Sequence, residues 1–256
     1  MRTSVLCLLT LWILPGQSQA LSLVSVGDSI TEGLLSQPVG PSYPDILADV
    51  YDVTNVGCGG TSSQDWSPTA SSSLPSCGAV AFSALYSDSV LPLMPVDVVT
   101  VLLGTNDAIG FFEPAAISIE NYQSNMESLV LALLLDGAGQ VILLAPPDFP
   151  SGGPVEAAYI TGYRNAIREL CEPPGDDILC GPDLGELLDS SDDYFAAGSF
   201  HPNGPAHALI ASELIALVPE ANGMLLGIAA LSCVGLLARR RQAEKLLHES
   251  GRRTHG

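Results

Sequence analysis

Residues 97–107 read DVVTVLLGTND, and how this stretch is read decides the fold. Val98, Val99, Thr100 and Val101 are consecutive β-branched residues, followed by Leu102 and Leu103. An unbroken apolar run of this kind predicts a strand buried on both faces, as in a parallel sheet covered by helices. Gly104 ends it. Working outward, residues 140–144 (QVILL) form a second such run, stopped by Ala145-Pro146-Pro147. Residues 21–26 (LSLVSV) end at Gly27, and residues 53–56 read as another strand. Between them, residues 43–50, 79–91, 114–135, 155–170 and 205–218 have helical spacing, with Pro114 near the start of the third. Strands alternating with helices predict an α/β fold: a three-layer α/β/α sandwich around a central parallel sheet. Functional residues are then expected just past the carboxyl ends of the strands. No internal repeat interrupts the pattern.

The two ends of the chain do not belong to this domain, which is assigned to residues 21–218. Residues 1–20 (MRTSVLCLLTLWILPGQSQA) combine a basic start at Arg2, an apolar stretch, a Pro15-Gly16 break and a small-x-small site at Ser18-Gln19-Ala20. That is the anatomy of a secretory signal peptide. Residues 223–238 (GMLLGIAALSCVGLLA) carry no charge and are followed at once by Arg239, Arg240 and Arg241. As a helix they extend about 24 Å, slightly short of a hydrocarbon core of about 30 Å. The arginines predict that residues 239–256 form a basic cytoplasmic tail. Pro219 separates this segment from the last helix of the domain, and residues 219–222 form a linker. Val218-Pro219-Glu220-Ala221, the apolar stretch and the arginines together resemble the PEP-CTERM sorting signal of exported bacterial proteins. Ala221 stands where that signal has a second proline, so the motif is degenerate. Membrane anchorage through this helix and tail removal by a sorting protease both remain open.

Composition agrees with export. Residues 21–222 hold 26 acidic residues against two basic ones, Arg164 and Arg168. A surface so negative repels nucleic acid and anionic lipid, and no nucleic-acid partner is expected. Cys58, Cys77, Cys171 and Cys180 are an even set within the domain. Three pairings are possible, and the local ones, Cys58–Cys77 and Cys171–Cys180, are favoured. None of these cysteines has C-x-x-C spacing, which argues against zinc.

The chemistry sits at three strand ends. The first strand leads into Gly27-Asp28-Ser29-Ile30, the second into Asn55-Val56-Gly57-Cys58-Gly59-Gly60-Thr61, and residues 97–103 into Gly104-Thr105-Asn106-Asp107. A serine at such a turn exposes its hydroxyl, glycines let backbone N–H groups approach an anion, and a carboxamide can donate to an oxyanion. Each motif alone also suits an ordinary cap or turn. His201 follows near the end of the domain, in Phe200-His201-Pro202-Asn203. In this order the four motifs resemble those of the SGNH hydrolases, the GDSL-type esterases and lipases, across residues 21–218.

That resemblance implies a flavodoxin-like SGNH fold, likewise a monomeric domain, and acyl transfer without a cofactor or metal. Ser29 would be the nucleophile and His201 its base. The Ser29 and Gly60 amides with the Asn106 side chain would form the oxyanion hole. Asp28 and Asp107 are read as structural ties between loops, and His207 as part of the scaffold. Metallophosphoesterases also use Asp and Asn at such turns, but their metals need more ligands than His201 and His207 supply.

The family's acid, three residues before the histidine, is missing here: that position is Gly198. Either Asp192 or Asp193 folds back to the ring, or a backbone carbonyl accepts its N–H. The carbonyl of Ser199 is preferred because no carboxylate lies closer in sequence. The resemblance, together with export, implies a short-chain acyl ester or an O-acetylated carbohydrate as substrate, and the lack of a long lid-like apolar insert argues against bulky triglycerides. A non-catalytic glycan-binding module and an acyltransferase are the alternatives. Trp66, in the polar stretch at 61–76, serves either as a substrate platform or as packing under that loop.

Overall fold

The computed structural model describes residues 20–34, 40–69, 84–110, 116–148, 153–172, 175, 177–188, 193–196 and 199–218. Residues 1–19 of the signal peptide, the linker, the apolar segment at 223–238 and the basic tail lie outside these, as do Cys77, Asp192 and Gly198. Among the described residues no helix is long and apolar enough to cross a membrane.

Among the described residues, five parallel strands form the sheet: β1 (Ser22–Gly27), β2 (Asp52–Asn55), β3 (Val96–Leu102), β4 (Ala138–Ala145) and β5 (Ile178–Asp183), in the order β2-β1-β3-β4-β5. The side chains of β3 divide between two cores, as the pleat requires. Val99, Val101 and Leu103 pack with α4 (Ile119–Asp136) and α5 (Pro154–Cys171). Val98 and Leu102 pack on the other face with α2 (Tyr43–Leu47) and α7 (Gly204–Leu217). The sheet is thus covered on both sides, and the three-layer α/β/α architecture read from residues 97–103 is the one observed. Three shorter helices, α1 (Ser29–Glu32), α3 (Thr105–Ile109) and α6 (Leu184–Leu187), start directly after β1, β3 and β5.

Three elements differ from their sequence reading. Helix α4 starts at Ile119, because Ser118 is extended and its hydroxyl accepts the Asn121 amide as an N-cap. Ile117 is already committed elsewhere, its amide donating to the Asp107 carbonyl (2.9 Å) and its carbonyl accepting from Tyr163 Oη. Of residues 79–91, the described part is a π-helical turn at Tyr86–Val90, running into a 3-10 turn at Leu91–Leu93. Strand β5 carries no sequence signal, because its sequence ILCGPD contains Gly181 and Pro182 and every residue is half-buried. It lies at the sheet edge, where a proline costs no ladder bond.

Cys171 and Cys180 are joined, tying the end of α5 to β5 with Cα atoms 5.3 Å apart. The Cys58–Cys77 pairing falls outside the described residues at Cys77. Both arginines of the domain sit in one ion-pair cluster beside this tie. Arg164 reaches Asp183 (2.7 Å) and Asp148 (3.1 Å), and Arg168 reaches Asp183 (2.7 Å) and Glu186 (2.9 Å).

Candidate active site

Ser29 is the first residue of α1, placed by the turn at the end of β1. Asp28 caps that helix, its Oδ1 accepting the Ile30 amide at 2.9 Å. Gly27 is required for the close approach, since a Cβ there would lie 2.6 Å from the Leu102 carbonyl oxygen of the neighbouring strand. Ser29 Oγ and His201 Nε2 are 2.9 Å apart, although 172 residues separate them, and both side chains are buried.

The loop that carries His201 is held from several sides. The Ala196 amide donates to the His201 carbonyl, and the Ser199 amide to the Ala196 carbonyl, both at 2.9 Å. Asn203 caps α7 by accepting the Ala206 amide, while its Nδ2 donates to the Asp193 carbonyl at 2.7 Å. The Phe200 ring stacks on the imidazole at 4.5 Å. On the far side of that imidazole, Nδ1 is 3.0 Å from Ser199 Oγ, which also accepts the His201 amide at 3.1 Å. The residue expected to orient the ring is therefore in contact with it, but through its hydroxyl rather than its carbonyl. Asp193 engages Asn203 through its main chain, and Asp192 lies outside the described residues. The tautomer matters. With Nδ1–H donating to Ser199 Oγ, Nε2 is left unprotonated and able to accept the Ser29 proton. Burial also lowers the pKa of His201 below the ordinary imidazole value, which favours the neutral base.

The loop after β2 and the start of α3 lie, like Ser29, just past the carboxyl ends of parallel strands. Gly60 has φ +82°, a left-handed conformation that glycine adopts without strain. Asn106 is buried, and its Nδ2 donates to the Thr61 carbonyl at 2.9 Å, its second N–H having no partner among the described residues. Among the described residues, the Ser29 and Gly60 amides donate no hydrogen bond within the protein. Ser29, Gly60, Asn106 and His201 thus come from four separate stretches of chain to one end of the sheet.

The remaining polar groups hold these loops. The Asp107 carboxylate accepts the Ser63 amide at 3.0 Å and the Ser63 hydroxyl, and burial pushes its pKa up to about 6. Burial, helped by the Asp107 charge, pushes Asp28 up to about 7, and its Oδ2 has no hydrogen-bond partner among the described residues. His207 Nδ1 accepts the Tyr43 amide at 3.2 Å, and burial lowers its pKa to about 4, so it ties α7 to α2 as a neutral scaffold residue. Trp66 is fully buried and donates to Thr61 Oγ1 at 2.9 Å. It packs into the core on one face of the sheet and offers no platform to a substrate. Glu32, which sequence reasoning passed over, accepts the Gly59 amide at 2.8 Å. Its only sequence signal is its place three residues after Ser29. Among the described residues, no three His, Cys, Asp or Glu side chains converge as metal ligands would.

A buried serine–histidine pair, with uncommitted backbone amides among the described residues at the same strand ends of a parallel sheet, suits acyl transfer. Residues 25–209 match the GDSL-like Lipase/Acylhydrolase family. The chain belongs to this family and is a carboxylic ester hydrolase. Similar solved structures share the fold. A catalytic mutant of Axe2, an acetylxylan esterase from Geobacillus stearothermophilus, is 19% identical with a TM-score of 0.58, covering 79% of this chain and 94% of that one. A GDSL-family lipolytic protein from Veillonella parvula is 20% identical with a TM-score of 0.56, covering 77% and 98%. The aryl esterase of M. smegmatis is 17% identical with a TM-score of 0.55, covering 78% and 100%. No curated protein matches the chain in sequence.

Proposed function

We propose that this protein is an exported serine esterase that cleaves short-chain acyl esters or O-acetyl esters of carbohydrates through an acyl-enzyme on Ser29. The observation that carries this reading is the 2.9 Å contact between Ser29 Oγ and His201 Nε2, with Nδ1 held by Ser199. Ser29 Oγ attacks the ester carbonyl while His201 takes its proton. The tetrahedral oxyanion is held by the Ser29 and Gly60 amides and the Asn106 side chain. Its collapse expels the alcohol, which receives the proton from His201, and water then releases the acid by the same steps in reverse. Removing one such oxyanion donor typically costs about 3 kcal/mol of transition-state stabilisation.

Acetylated xylan is favoured as the type of substrate because acetylxylan esterases are among the structural neighbours. Export rests on residues 1–20, and attachment to the membrane on residues 223–238, with the degenerate sorting motif between domain and helix. The test is labelling by a fluorophosphonate alongside hydrolysis of p-nitrophenyl esters of increasing chain length and of acetylated polysaccharide. Labelling and turnover should both vanish in Ser29→Ala, and turnover in His201→Ala. Persistent turnover in Ser29→Ala would refute the acyl-enzyme. Adding an acceptor alcohol separates hydrolysis from transfer.

A further inference from the structure

The amides that lead up to Gly60 are each engaged by a different part of the protein. Gly57 N–H donates to Asn55 Oδ1 (2.9 Å), Cys58 N–H to the Gly27 carbonyl (2.9 Å) and Gly59 N–H to Glu32 Oε2 (2.8 Å). Asn55 is itself tied to α1, its Nδ2 donating to the Thr31 carbonyl at 2.8 Å. Beyond Gly60, the Thr61 amide turns back to the Cys58 carbonyl at 3.3 Å. From Gly57 to Thr61, only the Gly60 amide donates no hydrogen bond among the described residues. Of these ties, the one adjacent to Gly60 is made by Glu32, which closes the same single helical turn that Ser29 opens. Gly59 is wedged between the two: a Cβ on it would lie 2.7 Å from Glu32 Oε2 and 3.6 Å from Ser29 Cβ.

From this geometry we infer that Glu32 is a positioning residue, which sets the Gly60 amide in register with Ser29 through its hydrogen bond to Gly59. The inference rests on the reading of Ser29 as nucleophile. The nucleophile and the loop amide come from different strands, and the short α1 turn carries both Ser29 and the carboxylate that grips the loop. Glu32 acts here as a hydrogen-bond acceptor, not as an acid or base. Its charge has no part in stabilising an oxyanion, which a neighbouring carboxylate would oppose. The amide oxygen of glutamine can therefore take its place.

The experiment uses the full chain, p-nitrophenyl acetate as substrate and a simple boronic acid as the probe of tetrahedral binding. Glu32→Ala is expected to lower kcat by roughly 10- to 100-fold, the scale of a misplaced catalytic group, with KM within about twofold. The boronic acid should weaken by a similar factor, because its adduct places an oxygen against the same amides. Glu32→Gln should recover most of both losses. Gly59→Ala, which drives a methyl group at the carboxylate, should resemble Glu32→Ala. Thermal melting identifies any variant that fails to fold, and Glu32→Gln keeps the test decisive if the alanine variant does. The inference is overturned if Glu32→Ala stays near wild type, if Glu32→Gln is as impaired as Glu32→Ala, or if kcat falls while boronic acid affinity holds. Fluorophosphonate labelling separates this failure from that of the underlying reading: loss of the label in Ser29→Ala keeps the nucleophile whatever Glu32 does.

Discussion

Replacing Ser199 with alanine removes an acceptor of two hydrogen bonds at once, one from His201 Nδ1–H at 3.0 Å and one from the His201 amide at 3.1 Å. Neutral hydrogen bonds contribute about 1 kcal/mol each, so roughly 2 kcal/mol of ring ordering is at stake. Through the transition-state relation that is a loss of about 30-fold in kcat. It falls far below the ~10⁴-fold cost of replacing the acid of a full triad, because a hydroxyl fixes the tautomer without stabilising the imidazolium. The assay is kcat for p-nitrophenyl acetate across pH, with Ser199→Asp beside Ser199→Ala. Burial lowers the His201 pKa, so the acidic limb of the wild-type profile should fall below the ordinary imidazole value. A carboxylate at position 199 favours the charged ring and should move that limb upward. A Ser199→Ala enzyme within twofold of wild type, together with a collapse of activity in Asp192→Asn/Asp193→Asn, would refute the hydroxyl as the orienting group.

Other perturbations test the scaffold. Asp28 has a folded pKa of about 7, above its unfolded value, so stability is greatest when it is protonated and is lost as pH rises from about 4 through about 7. Asp28→Asn keeps an oxygen for the Ile30 amide and should shrink the fall in urea midpoint between about pH 5 and pH 8; an unchanged fall would count against a buried, protonated carboxyl. Arg164→Met removes contacts to Asp183 and Asp148 but leaves Asp183 with Arg168, so a loss of about 2 kcal/mol is expected, less than for a fully orphaned charge. That corresponds to a Tm drop of roughly 4–8 °C, and no drop would mean the cluster adds nothing. Trp66→Phe should lower stability by about 1–2 kcal/mol through the lost Thr61 bond and the poorer packing, with KM for acetylated xylan unchanged. A raised KM with full stability would restore Trp66 as a substrate contact.

The layers of this fold were legible because strands buried on both faces declare themselves as unbroken β-branched runs. Residues 97–103 and 140–144 did so, and the helix at 155–170 showed its spacing between charged residues. Strand β5 gave no such signal, since an edge strand with Gly181 and Pro182 needs neither full burial nor a complete ladder. The start of α4 was misread because a proline near a helical pattern is a weaker marker than a serine whose hydroxyl caps the turn. At the site, Ser29, Gly60, Asn106 and His201 were legible from their place after strands and their order. Whether Ser199 offers His201 its hydroxyl or its carbonyl depends on one rotamer and one loop conformation, and no residue pattern encodes that. Glu32 escaped for a similar reason: a glutamate at the end of a helical turn is ordinary until the loop it grips is in place.

The arginine cluster has a consequence for proteolysis. Residues 21–222 contain no lysine, and their two arginines, Arg164 and Arg168, both lie within helix α5. A protease that cuts after basic residues therefore meets only two scissile bonds in the domain, and both are locked in helix and engaged by carboxylates from the neighbouring strand end. Cleavage has to wait for α5 to open. The rate of tryptic nicking in the domain thus becomes a direct clock for the opening of that one helix.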